Sequence, residues 1–381
     1  MTGVITRVRT WARAASAAAV LVGLASVLAP APGLAQEPAI DYGRFVPALV
    51  RDYALPAARD LRDRLQELES GVARLCARVD GAGDPGEAAT VFADGFAAVV
   101  DAHGWLAVSR FGALADASAL ERLAFVPDAR GVVRRQVTRL LAKEDPSALS
   151  AATLKDKSVA LQGLTALEWI AFSPDGAVVL GTNQPDRAYR CAYAGALVTG
   201  LIATANEVES GYATPSGQTA LLLSPGLDNR LAATPKEAAE VAFKALMTGL
   251  ALMKDQVLER VLEPGPANAR AARAPFARSH NALRHLSAGI EGLALAITAA
   301  GYPEGTKDAR WIGNSLRFET ANARAALAAV PADLGAGLAD PEARARLVYV
   351  NTILSGLRGM LGGELAGHLA LKGGFNALDG D

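Results

Sequence analysis

Within the run VALQGLTALEWIAF, residues 159–172, Glu168 is the one charged side chain. A lone carboxylate on an apolar helix costs several kcal/mol to bury unless it finds a cation, a metal or strong hydrogen-bond donors. Gly163 and Thr165 precede it at spacings that put the Thr165 hydroxyl and the Glu168 carboxylate on one side of a helix, with the glycine allowing another helix to approach closely. Two readings of this constellation stay open: a polar site that binds a ligand or metal through Glu168, and a buried Glu–Arg pair that serves packing alone.

Candidate partners lie elsewhere in the chain. Arg110, in RFGAL, offers a planar guanidinium suited to two-point recognition of a carboxylate. Asp128, in FVPDARG, is either a ligand-binding carboxylate or the cap of a helix beginning near Ala129. Arg278, Ser279, His280 and Asn281 concentrate four polar side chains at the start of a helix, either facing Glu168 or solvated. His103, His280, His285 and His368 are the four histidines, and none is paired at the i,i+3 or i,i+4 spacing that puts two ligands on one helical face. His280 and His285 diverge by about 140° around a helix, His103 is expected to pack or face solvent, and His368 suits a helix C-terminus. No His-Glu-x-x-His, nucleophile elbow, phosphate loop or dinucleotide fingerprint occurs, so catalysis is not advertised.

The elements that must position these residues read as helices throughout. Apolar residues recur at three- and four-residue spacing and almost no alternating run of strand length occurs, so the fold class is all-α. Helices are expected over residues 50–79, 87–111, 131–141, 150–172 and 186–212. A Pro- and Gly-rich linker is expected over 213–235, followed by helices over 236–262, 276–300, 309–329 and 341–371. Two successive sets of about four helices imply two bundle domains, residues 36–212 and 236–381.

Basic and acidic residues balance at 38 against 39, a formal charge of -1, which excludes a dedicated nucleic-acid binder. Residues 1–35 read as a cleavable signal peptide: Arg7, Arg9 and Arg13 precede an uncharged apolar stretch, and small residues at Gly33 and Ala35 mark a cut before Gln36. No cysteine adjoins that cut, so no lipid attachment is expected. Losing three arginines and no acid leaves the exported chain at about -4, a periplasmic location is expected, and Cys76 and Cys191 are there either joined in a disulfide or kept as two buried thiols.

Four ordered segments, RFGAL with the following RLAFVPDARGVVRRQVTRLLA, then ALQGLTALEWIAF, RAYRCAYAGAL and the closing GFNALDGD, resemble the imelysin family of insulin-cleaving membrane proteases. The resemblance implies an extracytoplasmic bacterial protein of two four-helix bundles related by pseudo-twofold symmetry, often linked to iron uptake. It also implies a Gly-x-His-x-x-Glu signature proposed as a peptidase metal site. Here the glycine is Gly163 and the glutamate Glu168, but Thr165 stands at the histidine position, and a neutral hydroxyl is a weak metal ligand. The first expectation is therefore a non-catalytic binding component of metal uptake, with iron or another divalent metal, or a small iron-containing compound, as ligand and a periplasmic or outer-membrane protein as partner. The alternatives are a metallopeptidase using Glu168, with a third ligand such as His280 or Asp128, and an interaction scaffold in which a Glu168–Arg110 pair is structural.

Overall fold

The computed structural model describes residues 39–77 and 85–372. The expected signal peptide and the closing GFNALDGD lie outside the described residues. Those residues are helical with no strand, the one isolated bridge joining Phe172 to Val178, and the all-α expectation holds.

Helix α1, Leu55–Ala77, forms because Leu61, Leu65, Leu68, Val72 and Leu75 repeat at helical spacing and are all buried, with Arg, Asp and Glu between them. The helical path itself begins earlier than the expected residue 50, at Phe45, and is interrupted only in its regularity. Pro56 has no N–H for the carbonyl four residues back, and the preceding turn, Val50–Ala54, opens into a π-helix. Helix α2 is Pro85–Ala107 and stops short of the expected residue 111, where Ser109 turns its hydroxyl onto the Leu106 carbonyl at 2.7 Å. A short helix α3, Ala119–Leu123, leads to α4, Val132–Lys143.

The single helix expected over 150–172 is instead broken. Gln162 donates its side-chain amide to the carbonyls of Lys155 and Lys157, and Ser158 accepts from the Ala160 amide, so side chains replace helical bonds through the break. What remains is α5, Gly163–Ala171, beginning at a glycine with φ +77°; a Cβ there would sit 2.6 Å from the carbonyl oxygens of Arg122 and Leu123 at the end of α3. Helix α6 is Arg187–Ala213. The expected linker carries α7, Gly217–Leu223, held down where Thr219 accepts from the Ala113 amide at 2.9 Å.

Four longer helices complete the chain: α8, Pro235–Ala251, which continues through a π-turn to Leu262; α9, Ala282–Ala299; α10, Arg310–Ala328; and α11, Pro341–Gly359. Helix α9 starts six residues later than expected because Phe276 and His280 both adopt φ +59°, which breaks the helical path.

From Ile40 onward the described chain is one compact unit with one continuous core. Helix α1 packs on α2 and α6, α5 on α6, α2 on α9, and α9 on α8 and α10, which in turn meets α11. The contact between α2 and α9 depends on Gly104, where a Cβ would lie 2.8 Å from that of Ala288 and 2.9 Å from the His285 carbonyl. Cys76 and Cys191 form a disulfide between the end of α1 and the start of α6, with Cα atoms 5.6 Å apart.

Two stability measurements follow from this packing. Gly104→Ala forces backbone apart at the α2–α9 crossing and is expected to lower unfolding free energy by about 1–3 kcal/mol in denaturant titration. Replacing both cysteines by serine releases a closure of 115 residues and is expected to cost about 2–4 kcal/mol, matched by reduction of the wild type.

Candidate functional site

Glu168 lies in the last turn of α5, buried to 7% exposure. Its Oε1 accepts two hydrogen bonds from one residue, the Ser279 amide and the Ser279 hydroxyl, each at 2.8 Å. Ser279 belongs to the irregular segment before α9, which is itself tied by Asn281, whose amide donates to the Phe276 carbonyl and whose side chain donates to the Ser279 carbonyl. Arg278 lays its guanidinium 4.3 Å over the Trp169 ring and donates Nε to the Phe172 carbonyl. A carboxylate on α5 thus clasps the segment that launches α9.

Burial pushes the Glu168 carboxyl up to about 7, against the opposing pull of the Ser279 hydrogen bonds and the Arg278 charge. The same burial lowers Arg278, with Glu168 acting in the other direction. The cationic partner is therefore Arg278 and not Arg110. Because α2 ends at Ala107, Arg110 falls in the following turn; burial lowers it, the nearby charge of Glu121 raises it, and it in turn depresses His103.

The other expected site residues separate. Thr165 is buried and accepts from the Phe125 amide at 3.3 Å. Asp128 takes the capping role: its two oxygens accept from the amides of Val132 and Val133 at 2.7 and 2.9 Å, and the helix begins at Val132 rather than Ala129. His280 packs against the turn at Gly176, where a Cβ would meet its Nδ1 at 2.6 Å.

His280 also lines a cleft of about 610 Å³ walled by residues of α1, α2, α9 and α10. Its floor is apolar, from Ala102, Leu283 and Leu327, and its rim is ion-paired: Arg284 with Asp101, and Arg324 with Glu291 at 2.6 Å, Glu291 also accepting from the Trp105 indole at 3.2 Å.

The sequence reading missed a pair of histidines. His103 on α2 and His285 on α9 meet across the crossing, Nδ1 to Nε2 at 3.0 Å, with Phe276 against both rings. Burial holds both well below the ordinary imidazole range, His285 at about 4, so both are neutral at pH 7. The fully buried His103 Nε2 has no hydrogen-bond partner among the described residues. Nothing in the spacing of residues 182 apart signals this contact.

The imelysin family model matches residues 54–358. The chain belongs to the imelysin family. Among solved structures, it resembles an imelysin-like protein from Psychrobacter arcticum 273-4, with a TM-score of 0.68 at 21% identity over 88% of this chain and 99% of that one. It also resembles a protein from Parabacteroides distasonis ATCC 8503 named as a putative iron-regulated protein A precursor, with a TM-score of 0.66 at 14% identity over 86% and 96% of the two chains. No curated protein matches.

The residues of this imelysin-family chain do not fit the metal that the family signature implies. Thr165 replaces the imidazole and faces Phe125, the Glu168 Oε1 is held by Ser279, and neither Asp128 nor His280 joins them. Among the described residues, no group of three or more His, Cys, Asp or Glu side chains could hold a metal ion.

The raised carboxyl has a consequence for stability. The folded protein holds the Glu168 proton more tightly than the unfolded chain, so this contribution is complete below pH 4.5 and is lost as pH rises towards about 7. Wild-type stability is expected to fall by up to about 3 kcal/mol relative to Glu168→Gln over that interval, measured by urea unfolding at a series of pH values.

Proposed function

We propose that this imelysin-family protein is an exported, non-catalytic binding component of iron or metal acquisition, whose ligand is an iron-containing compound rather than a bare ion coordinated by Glu168. The carrying observation is the use of the signature residues: Thr165 holds the Phe125 amide and Glu168 holds Ser279. Both act as structural polar contacts, leaving no open ligand set of the kind a catalytic metal needs. The iron connection rests on the name of the Parabacteroides relative.

The cleft beside this contact supplies the binding surface in our reading. A volume of about 610 Å³ suits a small organic ligand, and an apolar floor with a few convergent charged groups is the usual composition of such a site. In this reading the Glu168–Ser279 contact anchors the segment that carries the cleft-lining His280, so it shapes the site without touching the ligand. A division into two pseudo-symmetric bundles, α1 to α6 and α8 to α11, places the cleft along their junction in the same reading. The partner is a periplasmic or outer-membrane protein.

Calorimetric titration of ferrous iron under non-oxidising conditions, of zinc, and of ferric citrate tests the reading. Saturable binding of the ferric chelate is expected, weakened by Arg284→Glu and by Arg324→Glu, with no stoichiometric binding of either bare ion. Zinc binding abolished by Glu168→Gln, accompanied by cleavage of a protein substrate, would overturn it in favour of a metallopeptidase.

A further inference from the structure

The outer face of α4 carries charge that no ion pair among the described residues neutralises. Its sequence, VVRRQVTRLLAK, turns Val133, Val137 and Leu140 into the core and exposes Arg134, Arg135, Thr138, Arg139, Ala142 and Lys143. Four of these six exposed side chains are cations and none is an acid. Exposed Arg130, immediately before the helix, extends the patch, and Arg135 donates to its carbonyl.

Exposed arginines elsewhere are commonly neutralised, as Arg64 is by Asp60, Arg284 by Asp101 and Arg324 by Glu291. Among the described residues no ion pair reaches any cation from 130 to 143. The acids nearest in sequence do not compensate. Asp128 is held by two backbone amides at the start of α4, and Asp145 pairs with Lys157. That leaves Glu144, beyond the helix end, as one carboxylate against five cations. The whole chain has a formal charge of -1, so this face is a local reversal of sign.

We propose that the outer face of α4 is an electrostatic docking surface for the phosphate headgroups of an anionic phospholipid bilayer. Its chemistry selects this partner. Four of the five cations are arginines, whose guanidinium groups grip phosphate oxygens two at a time. Twelve residues of helix present about 18 Å of surface, enough to span several headgroups. The only uncharged exposed residues between the cations are Thr138 and Ala142, which offer neither the aromatic or aliphatic anchors of a protein interface nor a wedge for acyl chains. The contact is therefore flat, polar and dependent on ionic strength. Helix α4 packs against α5, so docking would hold the protein by the side behind Glu168.

The test is co-sedimentation of the chain from Gln36 onward, which contains the compact unit, with vesicles of phosphatidylcholine alone and with about 30% phosphatidylglycerol. Binding is expected to the anionic vesicles at ~50 mM salt, with release at ~500 mM and none to neutral vesicles. Combined Arg134→Gln, Arg135→Gln, Arg139→Gln and Lys143→Gln should reduce the partition coefficient at least tenfold. A second variant, Thr138→Glu with Ala142→Glu, leaves every cation in place, should keep the wild-type melting temperature, and should cause a comparable loss. Failure of the wild type to bind anionic vesicles, or undiminished binding by the second variant, overturns the proposal. Capture by polyglutamate with none by vesicles also overturns it, in favour of an acidic protein partner.

Discussion

The crossing of α2 over α9 is the constraint from which the rest of the site geometry follows. Gly104 lets the two backbones approach where any side chain would meet Ala288 and the His285 carbonyl. That approach brings His103 against His285, sets the walls of the cleft between Asp101 and Arg284, and places the segment before α9 within reach of α5. One missing Cβ therefore serves both the packing and the walls of the cleft, because interiors are close-packed and cannot absorb an extra atom locally.

Glu168 shows how a polar group survives in the buried contact between α5 and the segment before α9. Its carboxyl loses hydration, and the two bonds from Ser279 recover only part of that loss, which is why its affinity for a proton rises to the neutral range. The histidine pair answers the same problem differently: both rings stay neutral, and one nitrogen has no partner among the described residues. In each case the polar contact joins residues more than a hundred positions apart, 111 for Glu168 with Ser279 and 182 for His103 with His285. Such contacts favour one arrangement of helices over others that bury the same apolar area.

The family signature takes on a different physical role here. With threonine in place of histidine, the hydroxyl and the carboxylate point to different neighbours, one to the 124–127 segment and one to Ser279. Residues that would converge on a metal instead stitch together the segments around α5. What the surface carries is a cleft with an ion-paired rim and a cationic helix packed against α5.

Helix class and most helix positions were legible in the sequence because they depend on local periodicity: α1, α6, α10 and α11 each announce a buried stripe at three- and four-residue spacing. The disulfide was legible as one of two alternatives, because only two cysteines exist to pair. Interruptions were harder. The break before Gly163 and the late start of α9 arise from Gln162, Ser158, Phe276 and His280 bonding or bending in ways that the apolar pattern does not record. Glu168 stood out from its sequence surroundings as a carboxylate needing a partner, yet the partner proved to be Ser279 with Arg278, 111 and 110 positions away, and not Arg110. Sequence by itself determined which faces are apolar and that one of them carries a carboxylate. Tertiary structure decided what that carboxylate touches, because partners so distant in the chain are selected by the crossing of helices and not by spacing along any one of them.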